Sequence, residues 1–153
     1  FSSSSSAATM PVTMECCNRL GVPRRVSGLV VPLGTTINMD GTALYQVMCV
    51  TFLAQLYGIP LSLMDQLTIG FMAIIVAIGS PGLPGASLVL MVFILEAFSI
   101  PIEGLAIIIA VDRLLDMART VINVSGDAAA AVIVAGSDLG PPVTDSGESL
   151  ERA

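Results

Sequence analysis

Apolar residues fill most of this chain, and the polar ones fall into a few tight groups. The clearest group repeats with the period of a helix. At about 100° per residue, Asp112, Asp116, Arg119, Thr120, Asn123 and Asp127 share one arc of roughly 100°. Most of the remaining turn is Val, Ile, Leu, Ala and Met, with Arg113 on the flank of the stripe. In water this is an ordinary amphipathic helix. In a membrane each buried charge costs about 2.5–3.5 kcal/mol on insertion scales, and such residues usually mark an ion or substrate pathway.

Upstream, no charged residue occurs between positions 41 and 64 or between 66 and 95. Each stretch can supply a span of about 20 residues. Residues 26–57, as one straight helix, would run about 48 Å, more than the roughly 30 Å hydrocarbon core. Pro32, Gly34 and the polar run Asn38-Met-Asp-Gly-Thr42 interrupt that stretch. The pattern predicts two half-helices joined by an unwound segment at 36–41. Such backbone at membrane depth must be buried in protein or line a cavity. A loop between two short soluble helices is the alternative.

A turn at 58–60 precedes Ser62, which can cap the next helix with Asp65 completing a capping box. Residues 65–78 and 87–100 are apolar arms around Gly79-Ser-Pro-Gly-Leu-Pro-Gly-Ala-Ser87. Each arm is about 21 Å of helix, short for a span, so a re-entrant hairpin is expected. Two ordinary spans with a tight loop are the alternative. Residues 103–135 form the last long helix, and the polar tail at 136–153 is expected to be disordered. At the other end, residues 1–9 read by themselves as a flexible Ser/Ala linker, and residues 10–20 as a short helix.

Composition favours the membrane reading. The chain is 54% hydrophobic with mean hydropathy +0.89, and 12% of residues are charged, about half the usual soluble share. It begins at Phe1 in a serine run with no signal-peptide pattern, and is expected to be the C-terminal piece of a longer protein. Arg19, Arg24 and Arg25 cluster between apolar segments, which predicts a cytoplasmic loop. The net charge of −6 argues against nucleic acid as a partner. Cys16, Cys17 and Cys49 have no metal-ligand spacing and indicate no disulfide framework. Histidine and lysine are absent, which removes His-based triads, the phosphate-loop lysine and Schiff-base chemistry. An enzyme is not expected.

The polar groups suit ions and a zwitterion instead. Interrupted helices expose backbone N–H groups that favour anions and carbonyls that favour cations. Asp40, Asp127, Asn38 and Asn123 are hard oxygen ligands suited to sodium; calcium or magnesium usually recruits more carboxylates or water. The Arg119 fork matches a carboxylate, and Asp116 on the same face could hold an ammonium. The two could also pair with each other. Asp112 and Arg113 fit a structural or gating pair as well as a binding role.

Four motifs together resemble the glutamate/aspartate transporter family, the dicarboxylate/amino-acid:cation symporters. They are the serine tract ahead of Thr9-Met-Pro11, Asn38-Met-Asp-Gly-Thr42, the tip at 79–86, and Asp112…Asp116-x-x-Arg119-Thr-x-x-Asn123-x-x-x-Asp127. The resemblance covers about residues 2–135, in the family's order and spacing. It implies an all-α membrane protein with broken transmembrane helices and re-entrant helical hairpins. Residues 1–20 would be the tip and second arm of a first hairpin, 21–57 a broken transmembrane helix, 61–101 the second hairpin, 103–135 the last transmembrane helix, and 136–153 a cytoplasmic tail. The implied activity is sodium-coupled symport of aspartate or glutamate by alternating access, with a proton- or sodium-coupled C4-dicarboxylate symporter as the alternative. The implied setting is a multi-pass protein of the plasma (inner) membrane, in contact with lipid and homotrimeric at full length.

Residue by residue, the resemblance puts Arg119 and Thr42 at the substrate's side-chain carboxylate, and Asp116 at its amino group with Thr120 nearby. Asn123 and the backbone of Ser5 and Ser6 would take the α-carboxylate. Leu83, Pro84, Gly85, Ala86 and Ser87 would close over the substrate as a gate. Gly34, Asn38, Asn123 and Asp127 would form one sodium site. Thr36, Met39 and carbonyls at Ala77, Ile78 and Ser80 would form a second, and Asp40 with Asn38 would contribute to a third. The chain departs from the family pattern at Ala77, Pro81 and Ser87. An arginine common in the first tip or after the aspartate is replaced by Ser4 and Met117, and Arg113 is the candidate to compensate.

Overall fold

The computed structural model describes residues 1–80 and 82–137, and every regular element among them is helical. The order is α1 (Ser6–Arg19), α2 (Arg24–Ile37), α3 (Asp40–Leu56), α4 (Leu63–Ile78), α5 (Ala86–Ala97), a 3-10 turn (Ile102–Gly104) and α6 (Leu105–Ser137). Gly21 and Gly58 take positive φ just past α1 and α3, the left-handed step that ends helices. Ser62 and Asp65 form the expected capping box at the start of α4.

Three expectations shift. The serine tract is not a linker throughout: Ser5 caps α1 by accepting from the Ala8 amide at 3.1 Å, and Ser4, Ser5 and Ser6 are buried. The unwound segment is narrower than 36–41. Thr36 and Ile37 complete α2 and Asp40 and Gly41 open α3, so only Asn38 and Met39 leave the helix. Pro32 and Gly34 stay inside α2. The last helix runs to Ser137, so positions 136 and 137 are not tail; the rest of the expected tail, and Pro81, lie outside the described residues.

Helix α6 joins two apolar clusters. Near its start, Leu105 and Ile108 pack with Leu53, Ile69, Met91, Ile94 and Leu95. Near its end, Ala131 packs with Cys17, Val22, Val26 and Val31. The polar stripe lies between the two, and all six of its residues are buried. Large apolar side chains meanwhile face outward, with Leu63 73% and Ile133 68% exposed. Among the described residues no helix is long and apolar enough to cross a membrane. Helix α3 has 17 residues and α6 has 33, but the latter carries the charged stripe.

Close backbone approach fixes the broken segment against α6. An ideal Cβ on Gly41 would lie 2.6 Å from the Arg119 carbonyl oxygen, whereas one on Gly70 meets nothing within 4 Å. Gly41→Ala should therefore cost about 1–3 kcal/mol through overpacking. Gly70→Ala should gain about 0.5–1 kcal/mol, the helical preference for alanine. Thermal unfolding of the purified variants checks the opposite signs.

Candidate functional site

The site forms where the two interrupted stretches of chain meet the polar stripe of α6. The Asn38 amide makes the last helical bond of α2, to the Gly34 carbonyl at 2.9 Å. Its side-chain Nδ2 donates to Asp127 Oδ1 at 3.1 Å. At the start of α3, the Gly41 amide donates to Asn123 Oδ1 at 2.8 Å. Asn123 Nδ2 in turn donates to Thr42 Oγ1 at 3.3 Å and approaches Met39 Sδ at 3.4 Å. Helix α6 thus satisfies part of the backbone that the break leaves open. Two more glycines permit this. A Cβ on Gly34 would overlap Asp127 Oδ1, and one on Gly126 would sit 2.9 Å from Asp40 Oδ2.

The second interruption closes over the same place. Ser5 Oγ donates to the Gly82 carbonyl at 2.7 Å, tying the start of α1 to the segment between α4 and α5. Gly82 is hemmed in; a Cβ there would lie 3.2 Å from the Thr35 carbonyl oxygen and 3.3 Å from the Ala7 amide. Ser80, Leu83 and Ser87 line a cavity together with Ser4, Ser6, Met39, Thr42, Asp116, Arg119, Thr120 and Asn123. Its free volume is about 10 Å³, room for about one water and far below the several hundred Å³ of ordinary small-molecule sites. The site is closed on its own side chains.

Arg119 is at its centre. It is buried, ion-pairs with Asp116 through Nη2, and donates through Nη1 to Ser87 Oγ. Its guanidinium carbon lies 4.6 Å from the centre of the Tyr45 ring. Thr120 Oγ1 donates to the Asp116 carbonyl at 2.9 Å. The pairing of Asp116 with Arg119, one of the two arrangements open from the sequence, is the one present. Arg113 faces outward, away from the stripe.

Not all expected residues converge. Thr36 is exposed and its hydroxyl donates back to the Leu33 carbonyl at 2.8 Å. Asp40 is exposed, and Ile78 is half exposed at the end of α4. Ala77 is buried, and its carbonyl accepts from the Ser80 amide at 3.0 Å. Pro84 and Gly85 form the turn into α5, which Ala86 opens, and none of the three lines the cavity. Ser4, Tyr45, Gln46, Gly82 and Gly126 also stand at the site, beyond the residues expected there. Tyr45 and Gln46 follow Thr42 by three and four positions, a spacing that shares its helical face. Gln46 is fully buried with no partner on either side-chain atom, and the Ser4 hydroxyl is likewise unpaired.

One feature bears directly on cations. Asp127 is 1% exposed and its Oδ2 has no hydrogen-bond partner. A carboxylate oxygen left so is costly unless a cation or a proton meets it. Among the described residues no group of three or more Cys, Asp or Glu side chains could hold a metal ion.

The described residues thus form an all-helical unit whose helices are interrupted at a buried polar site, with large apolar side chains turned outward. The chain belongs to the sodium:dicarboxylate symporter family, whose pattern matches residues 1–137. It is 42% identical over 134 residues to a proton/sodium-glutamate symport protein of Bacillus subtilis, covering 88% of this chain and 31% of that protein. It is 47% identical over 131 residues to an excitatory amino acid transporter of Caenorhabditis elegans, covering 85% and 26%. It is 48% identical over 132 residues to excitatory amino acid transporter 3 of Mus musculus, covering 86% and 25%. The chain therefore spans about a quarter to a third of the length of these relatives.

The buried ion pair makes a stability prediction. Arg119→Met should cost about 3–5 kcal/mol, because Asp116 is left as an unpaired buried charge. Adding Asp116→Asn to that variant should restore most of the loss. A double-mutant cycle by thermal unfolding measures the coupling.

Proposed function

We propose that residues 1–137 are the substrate- and cation-binding core of a secondary active transporter, which carries aspartate or glutamate with sodium. The observation that supports this most is the buried Arg119–Asp116 pair inside a lining of hydroxyls and one amide. An acidic amino acid offers each member of that pair a replacement partner. Its side-chain carboxylate matches the forked guanidinium, and its ammonium matches the Asp116 carboxylate. Thr42 stands beside the first contact and Thr120 beside the second. The α-carboxylate would face the Asn123 amide and the start of α1, where Ser5 and Ser6 present helix N-terminal amides. A C4-dicarboxylate has no ammonium for Asp116, so it is the weaker candidate.

Sodium would sit at Asp127 Oδ2, with oxygens from Gly34, Asn38 and Asn123 around it. Thr36, Met39, Ala77, Ile78 and Ser80 are the candidates for a second ion, and Asp40 with Asn38 for a third. The name of the Bacillus subtilis relative includes both proton and sodium, and a proton could meet the same carboxylate.

In this reading α2 and α3 form one broken transmembrane helix, α4 and α5 a re-entrant hairpin, and α1 the second arm of another. Helix α6 is the last transmembrane element, its charges covered by its neighbours. Outward-facing Leu63, Met64, Phe71, Val89, Phe93 and Ile133 suit lipid or the remainder of a longer protein. Segment 82–87 would be the gate, because opening it releases both the Ser5–Gly82 and the Arg119–Ser87 bonds. A homotrimer in the plasma membrane with a cytoplasmic C-terminus completes the proposal.

Arg119→Cys should abolish aspartate uptake by the whole carrier in proteoliposomes, and unchanged uptake would sink the assignment. Asp127→Asn should weaken sodium binding. By linkage it should weaken aspartate binding through the same coupling free energy, roughly 5- to 150-fold. Aspartate binding titrated across sodium concentrations in detergent checks this. Binding indifferent to sodium but strengthened by acid would assign Asp127 to a proton instead.

A further inference from the structure

We infer that Tyr45 and Asp112 are a positioning pair that fixes the plane of the Arg119 guanidinium, and so set the preference for substrates with a second carboxylate. The inference rests on the reading of Arg119 as partner of that carboxylate. The Tyr45 hydroxyl donates to Asp112 Oδ1 at 2.5 Å. Both residues are buried, at 7% and 9% exposure. Both groups are largely withdrawn from water, which makes the bond between them costly to lose. Asp112 lies two turns before Arg119 on the same face of α6, and Tyr45 lies on α3. Their bond locks the ring between the two helices, with its face 4.6 Å from the Arg119 guanidinium carbon.

The other two grips on Arg119 are Asp116 and Ser87. Both loosen during turnover in the proposed cycle, Asp116 when it meets the ammonium and Ser87 when the gate opens. The Tyr45 ring belongs to neither event. It holds the guanidinium flat while the other bonds exchange, so that the carboxylate meets a fork already oriented. A phenol hydrogen-bonded to a carboxylate is also more electron-rich, which strengthens its attraction for a cation.

The test uses the whole carrier in proteoliposomes, with sodium-driven aspartate uptake and competition by asparagine, which lacks the second charge. Tyr45→Leu should raise the aspartate KM roughly five- to thirtyfold, the worth of a desolvated cation–π contact, with kcat within about twofold. The preference for aspartate over asparagine should fall by the same factor. Tyr45→Phe keeps the ring and loses the anchor, so its KM should lie between wild type and Tyr45→Leu. Asp112→Asn keeps an acceptor for the hydroxyl without the charge, and should resemble Tyr45→Phe. These two milder variants carry the test if Tyr45→Leu does not fold. An unchanged aspartate KM and preference in the folded variants, or a loss of kcat alone, overturns the positioning role while leaving the transport reading intact. Absence of aspartate uptake by the wild-type carrier overturns both.

Discussion

A guanidinium held out of water needs a partner, and the arrangement of this protein follows from how that need is met. Arg119 is 5% exposed and surrounded by Asp116, the Ser87 hydroxyl and the Tyr45 ring. These groups come from three helices, α6, α5 and α3. Each must reach the same few ångströms, so the hairpin, the broken helix and the last helix are held in one register. Burial of a charge is expensive, but removing one partner of a buried pair is more expensive still. Once formed, the cluster resists piecemeal change.

The break between α2 and α3 is the second constraint. Two residues leave the helix, and α6 supplies side-chain partners: Asp127 to Asn38, and Asn123 to the Gly41 amide. Glycines at 34, 41 and 126 allow the backbones to come this close. The result is a polar seam between two apolar clusters, with Asp127 Oδ2 unpaired within it. In the proposed transporter this seam couples ion and substrate, since Asn123 touches both the broken segment and the cavity lining. A cation at Asp127 would order Asn38, and through the break Met39 and Thr42 beside Arg119. Closure of segment 82–87 then depends on the same group of side chains.

Much of this was legible in the chain itself. A period of about 3.6 residues put six polar residues of α6 on one face, and all six are buried. Asn38-Met-Asp-Gly-Thr42 located the helix break to within two residues at each side, and the Ser62–Asp65 spacing gave the cap of α4. These features are local: helix pitch, capping and backbone competition act over a few positions. The start of α1 was not legible from the serine run alone, because what orders Ser5 includes the Gly82 carbonyl, 77 positions away.

Tertiary structure alone decided which polar groups meet. Sequence placed Asp116 and Arg119 on one face, but burial beneath α5 and α3 selected their mutual pair. Tyr45 carries no local signal of its role; α6 brings Arg119 to its ring and Asp112 to its hydroxyl. Thr36 was placed near an ion by resemblance, and the packing gives its hydroxyl a partner on its own helix, the Leu33 carbonyl. The physical reason is common to these cases. Pattern along a chain fixes the direction of a side chain relative to its own helix, whereas its partners depend on how helices distant in sequence pack.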